Sequence, residues 1–229
     1  MPDRSVLVTG ATGGLGGAVA AAFVAAGWRV VAPVRPAGGA PRAPDGAVAV
    51  EADLTDPQSV AAAVAEAAGA SDAPLRAVVN LVGGFASGGL VHETPLAEFE
   101  RMLTLNLRPT YLVTSAALPH LVAAGGGSVV CVSSRAAVAP FAGAAGYVTA
   151  KAAVLAFASA LAVEYKTAGV RCNTVLPSVI DTPANRTAQP QADHSRWVQP
   201  AEIADVILFL AGPGSAPISG AAVPVYGRA

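Results

Sequence analysis

Ser5-Val6-Leu7-Val8-Thr9-Gly10-Ala11-Thr12-Gly13-Gly14-Leu15-Gly16 runs from a short apolar block straight into a cluster of glycines. Beyond it, Leu15, Val19, Ala22, Phe23 and Ala26 recur at helical spacing until Gly27, a residue suited to a left-handed cap. The stretch therefore predicts a strand, a glycine turn and a helix. Glycines let the backbone come close to a phosphate, and the free N–H groups and positive end of the following helix favour its charge. A nucleotide cradle at the first βα turn is the expectation.

Working outward, Trp28 to Ala32 reads as the second strand and ends in Pro33-Val34-Arg35. In dinucleotide-binding sheets an acidic side chain at this strand end holds a ribose 2′-hydroxyl, whereas an arginine accommodates a 2′-phosphate. Val34 stands at the acidic position and Arg35 follows it, which points to NADP(H) over NAD(H). Residues 37–46 read as a loop. Ala47 to Glu51 forms a third strand, followed by Asp53 and a helix over 57–68 with Thr55 or Asp56 as its cap. Leu75 to Val79 is the fourth strand, closing on Asn80-Leu81-Val82-Gly83-Gly84, and 83–89 is a loop at the cleft. A helix over 96–107, continuing past Pro109 to about residue 123, carries Asn106, whose amide needs a partner if buried. The fifth strand is expected over 127–134 and the sixth over 171–176, ended by Pro177-Ser178. Alternation of strand and helix predicts an α/β protein, a doubly wound parallel sheet with helices on both faces. One domain over 1–229 is expected, with a substrate lid at about 178–200.

Tyr147 and Lys151 are four apart ahead of the helical run 152–164, which places phenol and ammonium one turn apart on one face. A cation there lowers a tyrosine pKa, and such a tyrosine exchanges a proton with an alcohol or carbonyl oxygen. Tyr and Lys at this spacing are also a common packing pair, so the motif gains weight only from its surroundings. Ser133 and Ser134 lie fourteen and thirteen residues before the tyrosine.

Composition narrows the setting. The chain is 53% hydrophobic and 13% charged, yet no run of about 18 residues escapes Gly, Pro or charge, which argues against a membrane span. Net charge is −1 with scattered basic residues, no footprint for nucleic acid. Cys131 and Cys172 sit in apolar blocks, the setting of buried free thiols. His92, His120 and His194 lack metal-ligand spacing, so no metal is expected. The N-terminus shows no secretory pattern, and a cytoplasmic location is the default.

Together these residues resemble the short-chain dehydrogenase/reductase family along nearly the whole chain. The matching elements are Thr9-Gly10 with Gly14-Leu15-Gly16, Asp53, Asn80, Asn106, Ser134, Tyr147 with Lys151, and Asn173-Thr174-Val175-Leu176-Pro177. The resemblance implies a Rossmann fold and hydride transfer between a nicotinamide and a small carbonyl or alcohol. It makes Tyr147 the general acid/base, Ser134 the donor to the substrate oxygen, Lys151 the group that lowers the tyrosine pKa and grips the nicotinamide ribose, and Asn106 the anchor of a proton-relaying water. Gly10, Gly14 and Gly16 would line the pyrophosphate, Asp53 and Leu54 the adenine, and Asn80 and Gly83 the adenosine ribose side, with Thr12, Gly13, Leu15, Leu81 and Val82 also meeting the cofactor. Pro177, Ile180 and Thr182 would meet the carboxamide end.

Three departures accompany the likeness. Asn80-Leu81-Val82-Gly83 replaces the family's Asn-Asn-Ala-Gly, Pro177-Ser178 replaces Pro-Gly and stiffens the hinge of the substrate loop, and Tyr226 stands where a glycine is common. The lid segment 176–197 and the Gly83-Gly84-Phe85 turn are similar to dihydropteridine reductases, although that subgroup typically lacks a serine at the Ser134 position. Phe85, Phe141 and Trp197 are candidates for an apolar pocket. Two alternatives stay open: a dihydropteridine reductase-like enzyme and a non-catalytic NADP(H)-sensing protein. By resemblance the helices over 96–123 and 150–166 pair between copies, giving a homodimer or homotetramer.

Overall fold

The computed structural model describes residues 2–35 and 43–228, so part of the loop expected over 37–46 lies outside the described residues. Seven strands form one sheet in the order β3-β2-β1-β4-β5-β6-β7, all parallel. They are β1 (Ser5–Val8), β2 (Arg29–Val34), β3 (Val48–Glu51), β4 (Leu75–Asn80), β5 (Gly127–Val132), β6 (Val170–Pro177) and β7 (Ala222–Val225). Strand order reverses between β1 and β4, and a crevice opens there at the carboxyl ends of the strands.

Period-two alternation sends successive strand residues to opposite faces. Val6, Val8, Val30, Ala77 and Val79 meet helices α1 (Gly14–Ala25) and α7 (Pro200–Ala211) through Val19, Phe23, Ile203 and Ile207. Leu7, Val31, Val78 and Val129 meet α2 (Pro57–Ala68), α4 (Arg108–Ala123) and α5 (Ala145–Glu164) through Val64, Val113, Leu121 and Val154. Helix α5 has the length and apolar composition of a membrane span. In this fold it lies on the sheet, burying Ala150, Val154, Ala158 and Leu161.

Several boundaries differ from expectation. The helix expected to run unbroken past Asn106 is two helices, α3 (Leu96–Asn106) and α4, joined at Leu107. Pro109 has no N–H to give the carbonyl four residues back, which breaks the ladder there. Strand β5 stops at Val132, leaving Ser133 and Ser134 in the turn beyond it. Strand β2 continues through Pro33, because its pairing with β1 ends at Val31 and the missing N–H faces no β1 partner. Within the segment expected to form a lid lies a short helix, α6 (Pro183–Ala188), capped by Thr182. Helix α7 opens with Glu202 accepting from Gln199 N at 2.8 Å. Asp56, not Thr55, caps α2.

Candidate active site

The glycine turn after β1 is built from close approaches. Gly10 has φ 68°, the left-handed region, and a Cβ at Gly16 would run into the Gly10 carbonyl. No side chain among the described residues caps α1 at Gly13, whereas Asp56 caps α2. The first N–H groups of α1 are therefore left for an anion. Thr9 stitches this turn to the end of β4, its Oγ1 accepting from Leu81 N at 3.0 Å and Val82 N at 3.4 Å.

A cavity of about 730 Å³ opens at the strand-order reversal, and Gly10, Thr12, Gly13, Arg35, Asp53, Leu54, Leu81, Val82 and Gly83 line it. Pro33, Val34, Ala52, Thr55, Leu105 and Pro109 complete the wall, residues that motif reading did not assign to the cofactor. Arg35 and Asp53 share one end. Hydrogen bonds from Thr55 N and Oγ1 hold the Asp53 carboxylate below its ordinary pKa, and the Arg35 charge adds to this. Gly14, Leu15 and Gly16 begin α1 beside the cavity rather than lining it. Thr182, at the start of α6, reaches Gly14, since a Cβ there would stand 2.8 Å from its Cγ2. Ile180 bridges Val198, and Pro177 closes β6 against Val225.

Asn80 does not reach this cavity. Its side chain lies in the core, where Nδ2 donates to Thr114 Oγ1 at 2.9 Å and Oδ1 has no partner. The cause is strand alternation: Val78 faces α4, so Asn80, two residues on, faces it too. Asn106 is likewise committed to backbone. Its Oδ1 accepts from Gly84 N at 3.1 Å, and Nδ2 donates to Gly84 O at 3.1 Å and Met102 O at 3.0 Å. It fixes the loop after β4, and both amide protons are already placed.

At its inner end the cavity meets the expected catalytic residues. A Cβ on Gly83 would fall 2.5 Å from Asn106 Oδ1 and 3.1 Å from Lys151 Nζ. Lys151 is buried, donates to Val132 O at 3.1 Å and lies 6.0 Å from the centre of the Tyr147 ring. Burial pulls its pKa down to about 8, and the Cys131 thiol beside it opposes this. The two serines divide. Ser133 is buried, its hydroxyl donating to Lys151 O at 2.7 Å, while Ser134 caps the next turn and presents its hydroxyl to Tyr147. Sequence reading expected Lys151 to lower the tyrosine pKa. In the structure burial pushes it up, and the Ser134 hydroxyl offsets part of that rise. Phe85 stands edge-on to Tyr147 at 5.0 Å and 6.3 Å from Phe141, an apolar wall beside the phenol. Trp197 is buried and packs against His194, the ring centres 4.3 Å apart. Cys131 and Cys172 are free and buried.

Comparison with known proteins decides what this constellation belongs to. The short chain dehydrogenase family model matches residues 4–193. The chain belongs to that family. It is an oxidoreductase built, like other short-chain dehydrogenases, to bind a nicotinamide cofactor and a small-molecule substrate. A 2-(R)-hydroxypropyl-CoM dehydrogenase of Xanthobacter autotrophicus is 34% identical, the match covering 98% of each protein. A 3-oxoacyl-(acyl-carrier-protein) reductase of Mycobacterium bovis is 32% identical over 98% of this chain and 92% of that protein. Among solved structures, a short-chain dehydrogenase/reductase from Mycobacterium ulcerans superimposes with a TM-score of 0.90 at 27% identity, covering 100% of this chain and 90% of that one.

Proposed function

We propose that this short-chain dehydrogenase transfers hydride between NADP(H) and a small carbonyl or alcohol, with Tyr147 as general acid/base. The observation that carries this reading is the contact of the cavity's inner wall at Gly83 with Lys151 and Asn106, which joins a dinucleotide-shaped space to the Ser134–Tyr147–Lys151 group. The cavity's glycine turn, uncapped helix and Arg35–Asp53 end suit a dinucleotide, whose nicotinamide supplies the hydride. Arg35 meets the 2′-phosphate that distinguishes NADP(H).

The residues then divide the work. Ser134 donates to the substrate oxygen and holds it beside the phenol. Tyr147, protonated at neutral pH and with its pKa raised further by burial, gives its proton to that oxygen as it gains charge. Lys151, about one pH unit below its pKa of about 8 at neutrality, stands as a cation to stabilise the phenolate left behind. Asn106 is a positioning residue for Gly84. The protein works in the cytoplasm as a homodimer or homotetramer, and the lid over 178–200 closes the substrate side of one domain.

The test follows NADPH oxidation across ketones, aldehydes, quinones and quinonoid dihydropterin, with Tyr147→Phe as control. Turnover on a carbonyl should fall by about 10²–10⁴-fold in the variant while cofactor affinity stays within a few-fold. A variant keeping more than about a tenth of the rate would remove Tyr147 from its role. Turnover confined to the pterin would make the chain dihydropteridine reductase-like. Tight NADPH binding with no turnover would make it a sensor.

A further inference from the structure

Arg135 follows Ser134 directly, at the start of the short turn that the serine caps. Its guanidinium lies over the ring of Tyr226 at 5.1 Å from the centroid. Tyr226 follows β7, and Arg135 follows the end of β5, so the arginine reaches across the carboxyl end of β6, which lies between them. That crossing point lies where β6 gives way to residues 178–200. The tail carrying Tyr226 is held in place: Ser178 Oγ donates to Tyr226 O at 2.7 Å, and Ser178 N to Val225 O. Arg228 N also donates to Arg196 O of the lid.

Arg135 differs from other cations of this chain in what balances it. Arg29 pairs with Glu66, and Arg186 pairs with the lid's Asp181, which also accepts from Gln199. Arg135 is exposed and forms no ion pair among the described residues. An aromatic face orients a guanidinium without neutralising it and leaves its edge donors free for a planar or tetrahedral anion.

We propose that Arg135, set on Tyr226, recognises an anionic group on the substrate, so that this enzyme takes a small oxo acid or hydroxy acid rather than a neutral ketone. The assignment rests on the catalytic reading of Ser134 and Tyr147 above. The carbonyl sits at Ser134, the carboxylate or equivalent anion lies a short tether away at the adjoining residue, and any apolar portion turns to Phe85 and Phe141.

The experiment is a calorimetric titration of acetoacetate and of its methyl ester into enzyme carrying oxidised cofactor, where no ketone reduction occurs. The Tyr147→Phe turnover comparison above reports on the catalytic reading alone, and the two ketones are also titrated into cofactor-free protein. Acetoacetate should bind wild type at least about tenfold more tightly than the ester. That preference should collapse toward unity in Arg135→Gln, survive in Tyr226→Phe, and shrink in Tyr226→Leu, since the ring and not the hydroxyl orients the guanidinium. Equal affinity of acid and ester for wild type, absence of acetoacetate binding, or a preference that survives Arg135→Gln would overturn the proposal.

Discussion

The two ends of the sheet both gather arginines, and Arg76 and Arg171 at one end are used in the opposite way to Arg35 and Arg135 at the other. At the amino ends of the strands, Arg4, Arg76 and Arg171 line a cavity of about 380 Å³ together with Trp28 and Gly125 to Gly127. Arg171 donates to Leu210 O at 2.9 Å, Ser215 Oγ at 3.0 Å and Gly212 O at 3.1 Å, and Arg76 donates to Ala124 O and Gly126 O. Their donors answer carbonyls that α4, α7 and the turns after them leave open. At the carboxyl ends, Arg35 and Arg135 are exposed and in no ion pair among the described residues. A guanidinium whose donors are met by the chain's own carbonyls holds the fold together; one left free at the crevice is available to a ligand.

The sharpest way to break this contrast is Arg171→Met. Removing the guanidinium strands several carbonyls in a partly buried place, at roughly 2–4 kcal/mol of stability. Thermal unfolding should drop by roughly 5–10 °C for a chain of this size. Activity per folded molecule should hold, because no part of the crevice is touched. A loss of cofactor affinity without a fall in melting temperature would show that the amino end of the sheet also serves binding.

How far each end could be read beforehand follows from what kind of information fixes it. Val6, Val8, Val30 and Val79 announce their strands because β-branched blocks bounded by Gly and Pro have few other uses. The glycine turn was legible because Gly10 and Gly16 answer local demands, a positive φ and a close backbone approach. The direction of Asn80 was legible too, had strand alternation been carried one step past Val78. So was α6, from a Thr182 cap followed by Pro183 at the first helical position. The pKa of Tyr147 was not, since its burial depends on Phe85, far away in sequence. Nor was the stacking of Arg135 on Tyr226, two residues brought together only by the strand order.

Lys151 sharpens the comparison from inside the crevice, as a cation that is buried without an acidic partner. Its folded pKa of about 8 lies below the ordinary 10.5, so the unfolded chain holds the proton more tightly. Stability should therefore be lowest below pH 8 and should rise between about 8 and 10.5, as the folded lysine sheds its proton before the unfolded one does. Lys151→Met should remove that rise, stabilise the protein by about 1–3 kcal/mol at neutral pH, and abolish turnover. A destabilised but active variant would contradict both halves of the argument.

Arg35 carries the smallest effect and the most specific one. Its side chain stands at the Asp53 end of the cavity, where an acid would be expected for a free ribose hydroxyl and Val34 stands instead. A charge-assisted contact to a 2′-phosphate in partly exposed surroundings contributes about 1.5–3 kcal/mol, so Arg35→Ala should weaken NADPH by roughly 10- to 100-fold. NADH has no phosphate to lose and should change by no more than a few-fold. Titrating both cofactors into wild type and variant gives the double difference directly, and raising the salt concentration should shrink only the NADPH term. Equal losses for the two cofactors would mean that Arg35 acts through Asp53 and the shape of the adenine end. The free guanidinium at this edge of the crevice would then belong with those at the amino end, as part of the scaffold.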